Sequence, residues 1–190
     1  MSAVDERLST FVEEVSKIRG VAYVTASSEG FPYMTKGTDR EGAEYASAIA
    51  SSMLKSIEEL ALIMDKGKPI WLKVYLPEDY RVQMFQYKNL AVAIKYEAYL
   101  EKVIDKLIDN LRKEITIRCP HCKRDLTFVT VRCPSCGSLN VFNEPKCWSC
   151  GADLRLKKCP YCGGLVFYDG RKPSFFTLLI YRIKRIFGMS

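Results

Sequence analysis

Eight cysteines occur in this chain of 190 residues, and all of them fall in Cys-x-x-Cys pairs: Cys119/Cys122, Cys133/Cys136, Cys147/Cys150 and Cys159/Cys162. Pro follows the first Cys in three pairs and Gly follows the second in three, which is the pattern of a zinc knuckle. Two thiolates three residues apart share one tight turn, and the next residue often takes a positive φ that Gly adopts without a Cβ clash. Lys123 after Cys122, and Trp148 in place of Pro, make the first and third knuckles less typical.

A tetrahedral structural zinc ion takes four ligands, so eight cysteines make two all-thiolate sites with none left over. Such sites leave no open position for water; they build structure, here in about 45 residues that could hardly bury a core of their own. A thioredoxin-like redox role would need one pair near a βαβ pattern rather than four in tandem. Between Cys122 and Cys133, the residues Leu126, Phe128, Val129 and Val131 fit a short hairpin with a knuckle at each end. Sequential pairing is therefore expected, Cys119 to Cys136 on one ion and Cys147 to Cys162 on the other. A nested pairing, the middle two pairs on one ion and the outer two on the other, is the alternative that the sequence alone does not exclude. His121, the only histidine, lies inside a complete knuckle and is expected to face outward rather than to ligate. Over residues 119–167 the four pairs resemble the double zinc ribbon family.

Charge divides the chain at the same place. Residues 1–114 hold 16 basic and 18 acidic side chains, a net of −2, whereas residues 115–190 hold 13 and 4, a net of +9. The first residues carry Asp5 and Glu6 and no apolar run of signal-peptide length, and closely spaced thiols suit a reducing compartment as metal ligands. The expected location is cytoplasmic. No run of ~18 apolar residues suggests a membrane-spanning helix.

The cysteine-free part reads by its periodicity. Val4, Leu8, Phe11, Val12, Val15 and Ile18 form one helical stripe. GVAYVTASS and FPYMTKG, separated by Glu29-Gly30, predict a hairpin. Thr38-x-x-Glu41 reads as a capping box before a helix of about 24 residues with the stripe Ala43, Ala46, Ala50, Met53, Leu54, Ile57, Leu60, Ala61 and Met64. Its other face is small: Ser47, Ala48, Ser51 and Ser52. That face suits either solvent or close packing against another helix. Three strands follow in PIWLKVYL, YRVQMFQY and LAVAIKYE, and a last helix carries Leu100, Val103, Ile104, Leu107, Ile108 and Leu111. The expected fold is α+β, a five-stranded antiparallel sheet with three helices in the order helix, two strands, helix, three strands, helix. A small zinc-ribbon module and an amphipathic helix complete the chain.

This order, with the hairpin GVAYVTASSEGFPYMTKG, the small-residue long helix and the segment NLAVAIKYEAYLEKVIDKL, resembles the roadblock/dynein light chain family over residues 3–114. Longin domains share the sheet but begin with strands. The resemblance implies homodimers, or heterodimers with another roadblock protein, that serve as platforms or activators for small Ras-like GTPases without nucleotide chemistry of their own. It also implies contact surfaces at Ser47, Ala48, Ser51 and Ser52 and along the strand Ile70–Leu76, with Ile70, Leu72 and Val74. Pairing that edge would remove an aggregation liability.

Three segments are expected: a roadblock-like domain over 1–115, a double zinc ribbon over 116–169 and a basic amphipathic tail over 170–190. In the tail Phe176, Leu179, Ile180, Ile183, Ile186 and Phe187 recur at helical spacing, with Arg182, Lys184 and Arg185 elsewhere on the wheel. Fourteen helical residues reach ~21 Å against ~30 Å of hydrocarbon, so the segment does not span; it suits the interface of an anionic membrane or a partner, the alternative being a helix that docks back on the protein or its dimer mate.

No GxxxxGK[ST] loop is present; Gly67-Lys68-Pro69 lacks both the hydroxyl and the preceding glycine. One histidine inside a knuckle leaves no Ser-His-Asp or Cys-His constellation, so the expectation is a protein that is not an enzyme. Two classes remain. The first is a regulator or scaffold of a small GTPase. The second is a nucleic-acid-binding protein using the ribbons' charge and Phe128, Phe142, Trp148, Tyr161 and Tyr168 as stacking groups. Five of the 13 basic residues lie outside the knuckles, at Arg171, Lys172, Arg182, Lys184 and Arg185, which favours the first.

Overall fold

The computed structural model describes residues 5–63 and 71–186, the side chains of 181–186 excepted. The chain forms two compact units, Met1–Lys113 and Glu114–Ser190.

The first unit runs α1 (Glu6–Ser16), β1 (Val21–Ser28), β2 (Phe31–Lys36), α2 (Arg40–Ile63), β3 (Trp71–Tyr75), β4 (Tyr80–Tyr87), β5 (Leu90–Glu97), a 3-10 turn at Ala98–Leu100 and α3 (Glu101–Arg112). The five strands form one antiparallel sheet in the order β2-β1-β5-β4-β3, which leaves β2 and β3 as its edges. Glu29 and Gly30 both take positive φ, 51° and 86°, the two-residue turn whose twist matches the strands it joins.

α1 starts at Asp5, whose carboxylate accepts the backbone N–H groups of Arg7 and Leu8 at 3.1 and 3.3 Å. Its stripe Leu8, Phe11, Val12 and Val15 is fully buried, and Phe11 meets Phe85 of β4 edge-on at 6.2 Å. The stripe of α3 is buried as well, at Val103, Ile104, Leu107, Ile108 and Leu111, and α3 packs beside α1.

α2 packs on β1, β5 and β4 through smaller groups. Ala50 joins Val82, Met84 and Ala93, with Met53, Leu54, Leu72 and Val74 around them. Hydroxyls fill the rest: Thr25 shares a hydrogen bond with Ser47 at 3.1 Å and with Thr35 at 2.8 Å, and Ser27 shares one with Ser51 at 3.2 Å. The helix is capped differently from the expected Thr38 box. Asp39 accepts the Gly42 N–H at 2.8 Å, because the helix begins at Arg40, one residue later than a Thr38 cap would start it, and this N–H is then the third of the helix. Val4 and Met64 lie outside the described residues.

In the second unit β6 (Thr130–Arg132) pairs with β7 (Leu139–Val141) and β8 (Leu156–Lys158) with β9 (Leu165–Phe167); α4 spans Phe175–Ile186. Ile117, Leu126, Val129, Phe142 and Val166 pack around Cys119 and Cys159, whereas Leu154 alone among larger apolar residues packs on Cys133 and Cys147.

Candidate metal centres and contact surfaces

Each knuckle is the tip of its own hairpin. The flanks of the four are the Arg118–Asp125 bridge, β6–β7, the Lys146–Asp153 bridge and β8–β9. The same backbone bond closes all four turns at 2.9 Å, from the N–H after the second Cys to the carbonyl of the first: Lys123 to Cys119, Gly137 to Cys133, Gly151 to Cys147 and Gly163 to Cys159. That residue has positive φ each time, 63°, 75°, 73° and 70°. A Cβ at Gly137, Gly151 or Gly163 would meet nothing within 4 Å, so glycine serves there for its φ alone.

The pairing is nested. Cys119, Cys122, Cys159 and Cys162 make one cluster and Cys133, Cys136, Cys147 and Cys150 the other, with all sulfurs of a cluster within 4.8 Å of one another. The sequential expectation is corrected: residues 122–133 do not form one hairpin with a knuckle at each end. Leu126, Phe128 and Val129 are buried, and the strand that follows them pairs forward with β7 across the second knuckle.

The geometry fits zinc. The Sγ atoms of Cys119 and Cys162 are 3.7 Å apart, Cys122 and Cys159 3.8 Å, Cys133 and Cys150 3.7 Å, and Cys136 and Cys147 3.6 Å. A tetrahedron with Zn–S of ~2.3 Å has an edge of ~3.8 Å, whereas a disulfide would need ~2.05 Å. Within each cluster the thiols oppose one another's ionisation, and their pKa values spread apart. Burial works to raise Cys119, but the backbone N–H groups of Cys122 and His121 outweigh it and bring the thiol down to about 6. The hydroxyl and N–H of Ser138 bring Cys136 down to about 6. In the same clusters Cys159, chiefly by burial, is pushed up to about 12, and Cys150 rises to about 12 beside the Cys136, Cys133 and Cys147 sulfurs, against the pull of the Ala152 N–H. Four adjacent thiolates require a compensating divalent charge.

His121 is exposed and is no ligand; its Nε2–H donates to the Leu165 carbonyl at 3.1 Å and so ties the first knuckle to the fourth. Two supporting residues escape a reading by spacing. Asn140 is fully buried, donates to Cys147 Sγ at 3.6 Å and accepts the Trp148 N–H at 3.1 Å. Lys157 is buried too, and its ammonium donates to the carbonyls of Phe142 and Glu144 at 2.5 and 2.6 Å. Burial lowers Lys157 to about 8, with Glu144 and Asp153 opposing. Neither side chain belongs to a motif; only a polar group in an otherwise apolar stretch could have marked them.

On the first unit the expected contact residues divide. Ser47 is buried and half-buried Ser51 lies beside it, and their hydroxyls turn to their own sheet, bonding Thr25 and Ser27. Ala48 and Ser52 are exposed. The outward ridge of α2 instead runs Tyr45, Ile49, Ser52, Ser56, Leu60 and Ile63 at helical spacing, with Tyr45, Leu60 and Ile63 half-exposed or more. On edge strand β3, Leu72 and Val74 lie against the α2 side of the sheet, while Trp71 and Tyr75 are exposed; Ile70 lies outside the described residues.

α4 opens at Ser174, whose hydroxyl accepts the Thr177 N–H at 3.2 Å. Phe175, Phe176, Leu179 and Ile180 are all exposed. The expected tail residues Arg182, Ile183, Lys184, Arg185, Ile186 and Phe187 lie where side chains are not described. Among the described residues no helix is long and apolar enough to cross a membrane.

No family model and no curated protein matches the sequence. Solved structures match the fold. A Roadblock/LC7 domain from Streptomyces avermitilis is similar over 60% of this chain and 95% of its own, with a TM-score of 0.50 and 17% identity. Myxococcus xanthus MglB is similar over 60% of this chain and 91% of its own, with a TM-score of 0.51 and 10% identity. At these identities the likeness is one of fold: the chain contains a roadblock fold joined to a segment whose two clusters of four cysteines fit zinc ribbons.

Proposed function

We propose that this protein is a regulator or scaffold of a small Ras-like GTPase, without nucleotide chemistry of its own. In this reading the roadblock unit forms a dimeric platform, with itself or with another roadblock protein, and the zinc ribbons extend it as a protein-binding arm. The observation that carries the reading is the roadblock fold with an outward ridge on α2 and an open edge at β3, two surfaces on which Tyr45, Ile49, Leu60, Ile63, Trp71 and Tyr75 are exposed. The tail adds a membrane contact: exposed Phe175, Phe176, Leu179 and Ile180 are followed by Arg182, Lys184 and Arg185, and no acid occurs after Asp169.

Nucleic-acid binding has less support. Phe128 and Phe142 are spent in the core, and Arg155 and Arg171 are engaged by Asp153 and Asp169. Trp148 and Tyr161, with Arg124 stacked on the latter, are the exposed aromatics that speak for it.

Affinity capture by the full-length protein from its native lysate, with GTP analogue or GDP present, tests the proposal. Retention of a Ras-like GTPase in one nucleotide state is the expected result. Retention of nucleic acid with steep salt dependence, and of no GTPase, would move the function to the ribbons.

A further inference from the structure

The two clusters are nested, and the nesting is not symmetrical in what each needs. Everything that shapes the inner cluster lies between Thr130, where β6 begins its pairing with β7, and Leu154. The Cys133 N–H donates to Ser138 at 2.9 Å, Cys147 to Ala152 at 2.8 Å and Leu154 to Pro145 at 2.8 Å. Asn140 joins its two knuckles through Cys147 Sγ and the Trp148 N–H, and the Trp148 indole donates to the Leu139 carbonyl at 2.6 Å. Apart from Leu154 and Ala152, nothing apolar packs there, so the ion is the core of this ribbon.

The outer cluster depends on residues that the inner ribbon delivers. Its core includes Phe142, which leaves β7 on the far side of the second knuckle and whose N–H donates to Val129 at 2.8 Å. Lys157 of β8 anchors its ammonium on the carbonyls of Phe142 and Glu144, between the two inner knuckles. With the inner ribbon unfolded, neither the phenyl ring nor the carbonyls would be in place. Chain length acts in the same direction. Contacting sulfurs of the inner cluster are 11 and 17 residues apart, those of the outer 37 and 43, and the longer closure is the harder one until the inner ribbon has shortened it.

We propose that the two centres load in a fixed order. Cys133, Cys136, Cys147 and Cys150 fold around their ion unaided, and Cys119, Cys122, Cys159 and Cys162 close only on a folded inner ribbon. Loss of the inner ion therefore opens both centres, whereas loss of the outer ion leaves the inner one intact.

The test is a Co2+ titration of the full-length, reduced, metal-free protein carrying Trp71→Phe, which leaves Trp148 as the only tryptophan. Thiolate-to-cobalt absorbance counts ions, and quenching of Trp148 reports the inner cluster. The first equivalent is expected to give nearly all the quenching and the second to add absorbance alone. Cys122→Ser and Cys162→Ser should keep one ion at unchanged inner affinity. Cys136→Ser and Cys150→Ser should weaken the outer ion by about tenfold or more. Phe142→Ala, which alters no ligand, should weaken the outer ion alike and leave the inner one unchanged. The order is overturned if Cys136→Ser holds the outer ion at full affinity, or if quenching grows evenly over both equivalents. It is equally overturned if the outer-ligand variants lose both ions, since dependence would then be mutual.

Discussion

Lys123 holds a φ of 63° that its three counterparts fill with glycine. A side chain in that region carries roughly 1 kcal/mol of strain, so Gly137→Ala should destabilise the metal-bound ribbons by about 1 kcal/mol, while Lys123→Gly should leave them unchanged or slightly firmer. Chelator competition for the bound metal, compared across the two variants, checks both. The turn chemistry was thus legible in the sequence down to single residues, because Cys-x-x-Cys-Gly states its own geometry. Ser47 and Ser51 were not legible. A serine next to alanine on a helix is the same letter whether it meets water, a second helix or a threonine on its own sheet, and only Thr25 and Ser27 across the interface decide it.

At the scale of elements, period fixed more than identity did. The stripes of α1 and α3 were sufficient to place those helices, since each buries its apolar side, whereas β4 buries Val82, Gln83, Met84 and Phe85 in succession because the sheet is covered on both faces. Knuckle pairing was beyond reach, because it depends on which hairpins stack and not on any spacing along the chain. On the α3 side of the sheet Lys73, itself buried, meets Glu101 at 2.6 Å and Asp105 at 2.9 Å, both part-exposed, and Asp105 also accepts from Gln83, which in turn accepts the Tyr96 hydroxyl. Burial works against the lysine's charge, and the two carboxylates outweigh it and hold its pKa above 10.5. Its stabilisation is therefore complete below the ordinary lysine pKa and is lost as pH rises through the elevated one. Lys73→Met should lower the melting free energy of the first unit by about 1 kcal/mol at neutral pH and remove that alkaline loss, as pH-dependent thermal melts would register. For α4, co-sedimentation with phosphatidylserine-containing vesicles should fall when the segment 174–190 is deleted or when Phe176 and Ile180 become Ser, and should fall also at high salt. Deletion that instead lowers the melting temperature, with vesicle binding unchanged, would mean the helix docks on protein.

For the whole molecule, the two units differ in what can hold them together: the first buries an apolar core between sheet and helices, while the second has a small apolar cluster beside two groups of four thiols that fit a metal ion. A strong chelator under reducing conditions should abolish the structure of Glu114–Ser190 while the melt of Met1–Lys113 persists, a separation that circular dichroism and proteolysis can follow together. The second unit has one more property. Gly170 lies against Ile117 and Arg118, where an added Cβ would come within 3.1 Å of the Arg118 carbonyl. The chain thus leaves the ribbons at the point where it came in, and the fifty or so residues between form a lariat drawn shut at its neck by the outer cluster. α4 is consequently launched from the root of this loop and not from its tip, so the segment between the two outer knuckles can change in length or sequence in evolution without moving the point from which the tail departs, as long as the outer cluster stays closed.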